Sequence, residues 1–143
     1  MEIDFSPKGK RFIFKLDKYT CYKVCSGKCP ITPDKVSNYN FDNKYYYGSA
    51  TASCEKHCLN IAKSLIESGF TSNKLTISKF KCGHYMVGTG QHRVCVAGRL
   101  GLTVPVRISK IDINCEECYR KKESLTYRIK GWFFKGDYIE ERL

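Results

Sequence analysis

Apolar and polar positions alternate over residues 11–16 (RFIFKL), where Phe12, Phe14 and Leu16 stand against charged partners. That period predicts a half-buried strand. Between residues 53 and 68 the period lengthens. Leu59, Ala62, Leu65 and Ile66 recur at helical spacing, Ser53 offers an N-cap, and Gly69 stands where a C-cap belongs. Residues 74–78 (KLTIS) and 84–87 (HYMV) predict two strands, with 81–83 short enough for a hairpin turn. The run GTGQHR (88–93) then leads straight into Val94, Ala97, Leu100 and Leu102, which reads as strand, glycine turn and helix, with Gly101 ending the helix. Residues 104–108 (VPVRI) predict another strand, and Pro105 suggests an edge position. Leu125–Phe134 has β character, Gly136-Asp137 is a turn signal, and Tyr138-Ile139 can pair back.

Residues 19–47 differ in texture. They hold three cysteines, Pro30, Pro33, several Asn and the run Tyr45-Tyr46-Tyr47, and predict irregular structure. A segment that long needs an anchor in a compact domain. Packed tyrosines would serve, and so would a metal. No internal repeat or low-complexity stretch interrupts the chain. Its 143 residues predict one α+β domain with a mixed sheet, a Cys- and Tyr-rich segment at 1–53, a core at 54–109 and a β extension at 110–143.

Charge narrows the partners. Lys and Arg total 25 against 14 acids, a formal +11. Such a balance favours nucleic acid, nucleotide phosphates or an acidic surface, although a lysine-rich composition gives the same total. Distribution says more. Residues 68–111 contain no Asp or Glu, while carrying Lys74, Lys79, Lys81, Arg93, Arg99, Arg107 and Lys110. Arg120-Lys-Lys122 reads as a solvated face. No apolar run reaches the roughly 18 residues of a membrane span. The start, MEIDFSPKGKRF, carries acids and no apolar h-region, so no signal peptide and a cytoplasmic location are expected.

The glycine turn is the strongest candidate for binding chemistry. A helix N-terminus presents unpaired N–H groups and the positive end of a dipole. Glycines let a ligand approach the backbone, and His92 and Arg93 in the first turn can add donors to the same anion. Gly88, Thr89, Gly90, Gln91, His92 and Arg93 therefore form a candidate phosphate cradle.

The order of these pieces resembles the ParB/sulfiredoxin superfamily. The similarity spans about residues 54–109 and is carried by LNIAKSLIESG (59–69), KLTI (74–77), HYMV (84–87), GTGQHRVCVAGRLGL (88–102) and VPVRI (104–108), above all by Gly90-Gln91-His92-Arg93. The resemblance implies a small α+β domain that binds nucleotide or nucleic-acid phosphate at the turn. It also implies phosphoryl-transfer, nucleotide-hydrolysis or nuclease chemistry, with Arg93 stabilising developing charge and His92 acting as donor or general acid. A nucleoside triphosphate and Mg²⁺ are the implied cofactors. Two departures stand out. Gln91 occupies the slot of the reactive cysteine in sulfiredoxin-like members, and Thr89 replaces an acid that would serve Mg²⁺, unless Glu55 or Asp4 substitutes. Cys95 is expected to be a packing residue.

Nine cysteines cannot all pair internally, and a reducing compartment leaves them as buried thiols, metal ligands or reactive groups. Cys21, Cys25 and Cys29 are spaced C-x3-C-x3-C, which departs from the usual iron–sulfur arrangements. Cys115 and Cys118 form C-x2-C. Cys25 and Cys29 with Cys115 and Cys118 would make a four-thiolate zinc site tying the amino-terminal segment to the carboxy-terminal one. Cys21 could replace either ligand, and Cys54, His57 and Cys58 form a competing half-site on one helical face. Cys82 stands alone, and His84 is expected to have no special role. Trp132 and the tyrosines are expected in the core.

Three functions are compatible with this reading. The first is phosphate binding at 88–93, with or without catalysis. The second is a basic, non-enzymatic nucleic-acid-binding accessory protein, for instance of a mobile element. The third is a zinc-stapled module that binds another protein.

Overall fold

The computed structural model describes residues 1–15, 21–40, 54–70, 75–118 and 139–143. The elements run β1 (Ile3–Phe5), β2 (Arg11–Phe14), α1 (Tyr22–Ser26), α2 (Pro33–Ser37), α3 (Cys54–Ser68), β3 (Leu75–Phe80), β4 (Tyr85–Thr89), α4 (Gln91–Leu100), β5 (Val104–Ile111) and β6 (Ile139–Arg142). The architecture is α+β, built on one six-stranded mixed sheet in the order β1-β5-β3-β4-β2-β6. β3 pairs antiparallel with β4 and parallel with β5, whose register runs from Leu75 opposite Val106 to Phe80 opposite Ile111. β2 pairs parallel with β4 and antiparallel with β6.

The hydrophobic pattern places the core. Leu75 and Ile77 on β3, and Val104 and Val106 on β5, point to one side of the sheet at strand period and are buried there. Phe12 and Phe14 of β2 stack with ring centroids 5.3 Å apart within the same core. α4 covers this face with Val94 and Ala97. Its other side, at Val96, closes a second core made by Ile31, Val36 of α2 and Cys58, Leu59, Ile61 and Ala62 of α3. α4 is thus the shared wall of two cores. It is held at both ends by glycines in the left-handed region, Gly90 at φ 84° and Gly101 at φ 70°. Leu102 N–H donates to the Ala97 carbonyl at 2.8 Å, which closes the last turn.

Several expectations change. Residues 22–26 and 33–37 are short helices rather than irregular chain. Pro33 supplies a pre-set φ at the start of α2, and the Thr32 hydroxyl caps it by accepting from Lys35 N–H at 3.4 Å. β2 is buried on both sides, not half-buried, because Ile13 is covered as well as Phe12 and Phe14. β5 is an interior strand despite Pro105. Its ladder with β3 opens at Val106, one residue past the proline, so the missing N–H removes no bond from it. Residues 125–138, with Trp132, and the Tyr45–Tyr47 run lie outside the described residues, as does Ser53. The strand that pairs back at the carboxy-terminal end is β6, and its partner is β2.

Candidate metal centre

The parallel pairing of β3 with β5 ends at Phe80 opposite Ile111, so both strands stop at the same level. The chain leaving each strand carries ligands. Cys82 and His84 sit in the β3–β4 turn, and Cys115 and Cys118 follow β5. Gly83 at φ 83° makes the tight turn, Gly83 N–H donates to Phe80 carbonyl at 2.9 Å, and Lys81 N–H ties the turn to the Ile113 carbonyl at 3.0 Å. Two chelating pairs are thereby brought face to face.

Their ligand atoms converge. Cys82 Sγ, His84 Nδ1, Cys115 Sγ and Cys118 Sγ all lie within 4.8 Å of one another, and this set could hold a metal ion such as zinc. His84 Nδ1 is 3.4 Å from Cys82 Sγ, 3.5 Å from Cys115 Sγ and 3.3 Å from Cys118 Sγ. In a tetrahedral zinc site, bond lengths of about 2.0 Å to nitrogen and about 2.3 Å to sulfur put those atoms about 3.6 Å apart. The observed spacing is therefore close to the edge of a zinc tetrahedron.

The surroundings suit thiolate and imidazole ligands. His84 is buried, and its Nε2 lies 2.9 Å from Glu140 Oε1 on β6. A proton on Nε2, donated to that carboxylate, leaves the Nδ1 lone pair free for a metal. The Cys115 backbone N–H donates to Cys82 Sγ at 3.3 Å. Burial opposes ionisation of Cys82, but the backbone N–H of Cys115 and the neighbouring His84 outweigh it and bring the thiol down to about 6. Cys115, fully buried, is pushed up to about 12 by that burial.

This centre joins two of the expected ligands to two others. Cys115 and Cys118 are ligand candidates as expected, but their partners are Cys82 and His84, not Cys29. Cys29 packs against the second core and is not one of the four, and Cys25 lies in α1 with its side chain outside the described residues. Of the half-site on α3, the Cys54 side chain lies outside the described residues. Cys58 is buried in the second core, and the His57 ring packs edge-on against His92 with centroids 5.2 Å apart. The missed signal is that Cys82-x-His84 lies at the turn between two predicted strands, 74–78 and 84–87, and Cys115-x2-Cys118 follows a third, 104–108. Only the strand pairing shows that the two strand ends are neighbours.

The glycine turn forms as strand, left-handed Gly90 and helix. Its glycines also have a packing reason. A Cβ on Gly88 would stand 2.7 Å from Thr76 Oγ1, and one on Gly90 would overlap the Leu75 side chain. Gln91 turns its side chain back to accept from Lys15 N–H at 2.6 Å, so it is occupied within the fold. His92 and Arg93 are half-buried, and His92 lines a cavity beside α4. Neither proposed source of an acid stands ready. Glu55 pairs with Lys35 at 2.9 Å, and Asp4 lies on β1, three strands from β4 and hence roughly 14 Å away. Among the described residues, no helix is long and apolar enough to cross a membrane. No protein-family model, curated protein or solved structure matches the chain.

Proposed function

We propose that the chain is a zinc-stapled α+β binding module, with one Zn²⁺ held by Cys82, His84, Cys115 and Cys118 in a structural site. The observation that carries this reading is the convergence of the four ligand atoms within 4.8 Å. Three cysteines and one histidine fill a tetrahedral shell and leave no open position for a substrate, which is the arrangement of structural rather than catalytic zinc. The metal would join the β3–β4 turn to the chain after β5, and through Glu140 to β6. Elemental analysis of protein purified without added zinc tests it. One equivalent per chain is expected, falling below a tenth in Cys115→Ser and Cys118→Ser. Wild-type protein with less than a tenth of an equivalent would sink the idea.

A second reading concerns what the module binds. The passage from β4 through left-handed Gly90 into α4, inside an acid-free span, favours capture of a nucleotide or nucleic-acid phosphate at residues 88–93. Arg93 is the cation of that turn, and with no acid within residues 88–93 binding is favoured over Mg²⁺-assisted phosphoryl transfer. Nucleoside triphosphates should raise the melting temperature of the parent protein and leave Arg93→Ala unmoved. Equal stabilisation of both would remove the turn from consideration. Oligonucleotide binding with a steep salt dependence that survives Arg93→Ala would place nucleic acid on a separate basic face.

A further inference from the structure

A second group of cysteines surrounds the cavity beside α4. Its volume is about 210 Å³, and Cys21, Cys29, Cys58 and Cys95 all line it. They come from four places: the N-cap of α1, the link between α1 and α2, the fifth residue of α3, and the second turn of α4. None is in a disulfide. Among the described residues, these thiols are not gathered closely enough to hold a single ion, in contrast to the set at Cys82. They ring a void instead. Water occupies about 30 Å³ per molecule, so the void has room for a group of several atoms.

The charges around this void are equally specific. Arg99 lies beside Cys95 and Cys29, and its buried Nε has no hydrogen-bond partner among the described residues. Lys23 also lines the cavity, and the lone acid there among the described residues, Glu141, is shared between Lys23 and Arg99, the latter at 3.1 Å. Two cations against one carboxylate leave positive charge facing four thiols. A buried N–H without an acceptor calls for one, and a thiolate or inorganic sulfide would supply it.

We propose that this cavity is an iron–sulfur cluster site, ligated by Cys21, Cys29, Cys58 and Cys95. Ligands of a cluster bind different irons and so stand further apart than ligands of one ion, with inorganic sulfide filling the space between them. Each thiol loses its proton on ligation. Arg99 and Lys23 offset the negative charge that results, and the Arg99 Nε–H is a buried donor that a sulfur atom of the cluster would satisfy. The set includes only two members of the C-x3-C-x3-C run, and its spacing in sequence follows no recognisable cluster motif. The inference does not depend on zinc at Cys82 or on phosphate at residues 88–93.

The test uses the full chain, produced with iron supplied and purified without oxygen, then reconstituted with ferrous iron and sulfide. Expected are broad visible absorption that bleaches on reduction, and about two or four irons per chain matched one for one by acid-labile sulfide. Cys58→Ser and Cys95→Ser should each lose this absorption while keeping their zinc equivalent, which reports that the fold is intact. Cys82→Ser should lose zinc and keep the iron and sulfide. Wild-type protein without stoichiometric sulfide overturns the proposal, whatever the variants do. So does a second equivalent of zinc in place of iron, or a cluster that persists in the Cys58→Ser/Cys95→Ser double variant.

Discussion

The two cysteine sites of this molecule are built in opposite ways. At Cys82, His84, Cys115 and Cys118 the ligand atoms are already at bonding separation, held by a hairpin turn and a strand end in fixed register. Around the α4 cavity the thiols stand back from a void, carried by helices and the links between them. Rigid strand ends suit a single ion with short bonds and fixed angles. Helices at a spacing suit a larger guest. The same residue type therefore means different things at the two places, and the backbone that carries it decides which.

Zinc removal should show the largest contrast. Loss of the structural zinc should cost several kcal/mol of folding free energy, so chelation should lower the melting temperature by about 10 °C or more. Iron-free protein with zinc retained should keep a cooperative transition. A protein indifferent to chelation would erase the distinction. Single substitutions come next. Cys118→Ala should cost several kcal/mol because it disables the metal, whereas Cys58→Ala in iron-free protein should cost about 1 kcal/mol, the loss of one buried sulfur. Denaturant unfolding measures both, and equal costs would contradict the comparison.

The acids on β6 give a smaller and more selective effect. Glu140→Gln should weaken zinc about 10- to 100-fold in competition with a chelator, because it removes the group that orients His84. Glu141→Gln should leave zinc affinity unchanged, since Glu141 serves Arg99 and Lys23. The smallest effect is one of order. In metal-stripped protein at pH 7, Cys82 should be alkylated before Cys115 and Cys95. Its depressed value of about 6 makes it a thiolate at neutral pH, while burial holds Cys95 near 11 and Cys115 near 12 in the thiol form. Mass spectrometry at short reaction times reads that order.

Much of the fold is legible in the chain. Period-2 and period-3.6 patterns mark β3, β4, α3, α4 and β5, because these elements bury one face each. Glycines mark the ends of α4, since Gly90 and Gly101 adopt backbone angles that side chains rarely allow. α2 was hidden by composition, although Thr32-Pro33 is a helix start. The metal centre was half legible. Cys115-x2-Cys118 has a zinc spacing on its own, while Cys82-x-His84 becomes a chelating pair only when β3 and β5 lie side by side. That adjacency is a long-range pairing, and no local pattern encodes it. The cavity was less legible still, because its cysteines meet only after α1, α3 and α4 have packed.

The order of the sheet has a last consequence. Among the described residues its outermost strands, β1 and β6, are three and four residues long. They carry Asp4 on one side and Glu140, Glu141 and Arg142 on the other. Edges this short and this charged make poor templates for a strand from another copy. Edges of this kind disfavour growth by self-association, and the acids that do so at β6 are the same two that reach inward to His84 and Arg99.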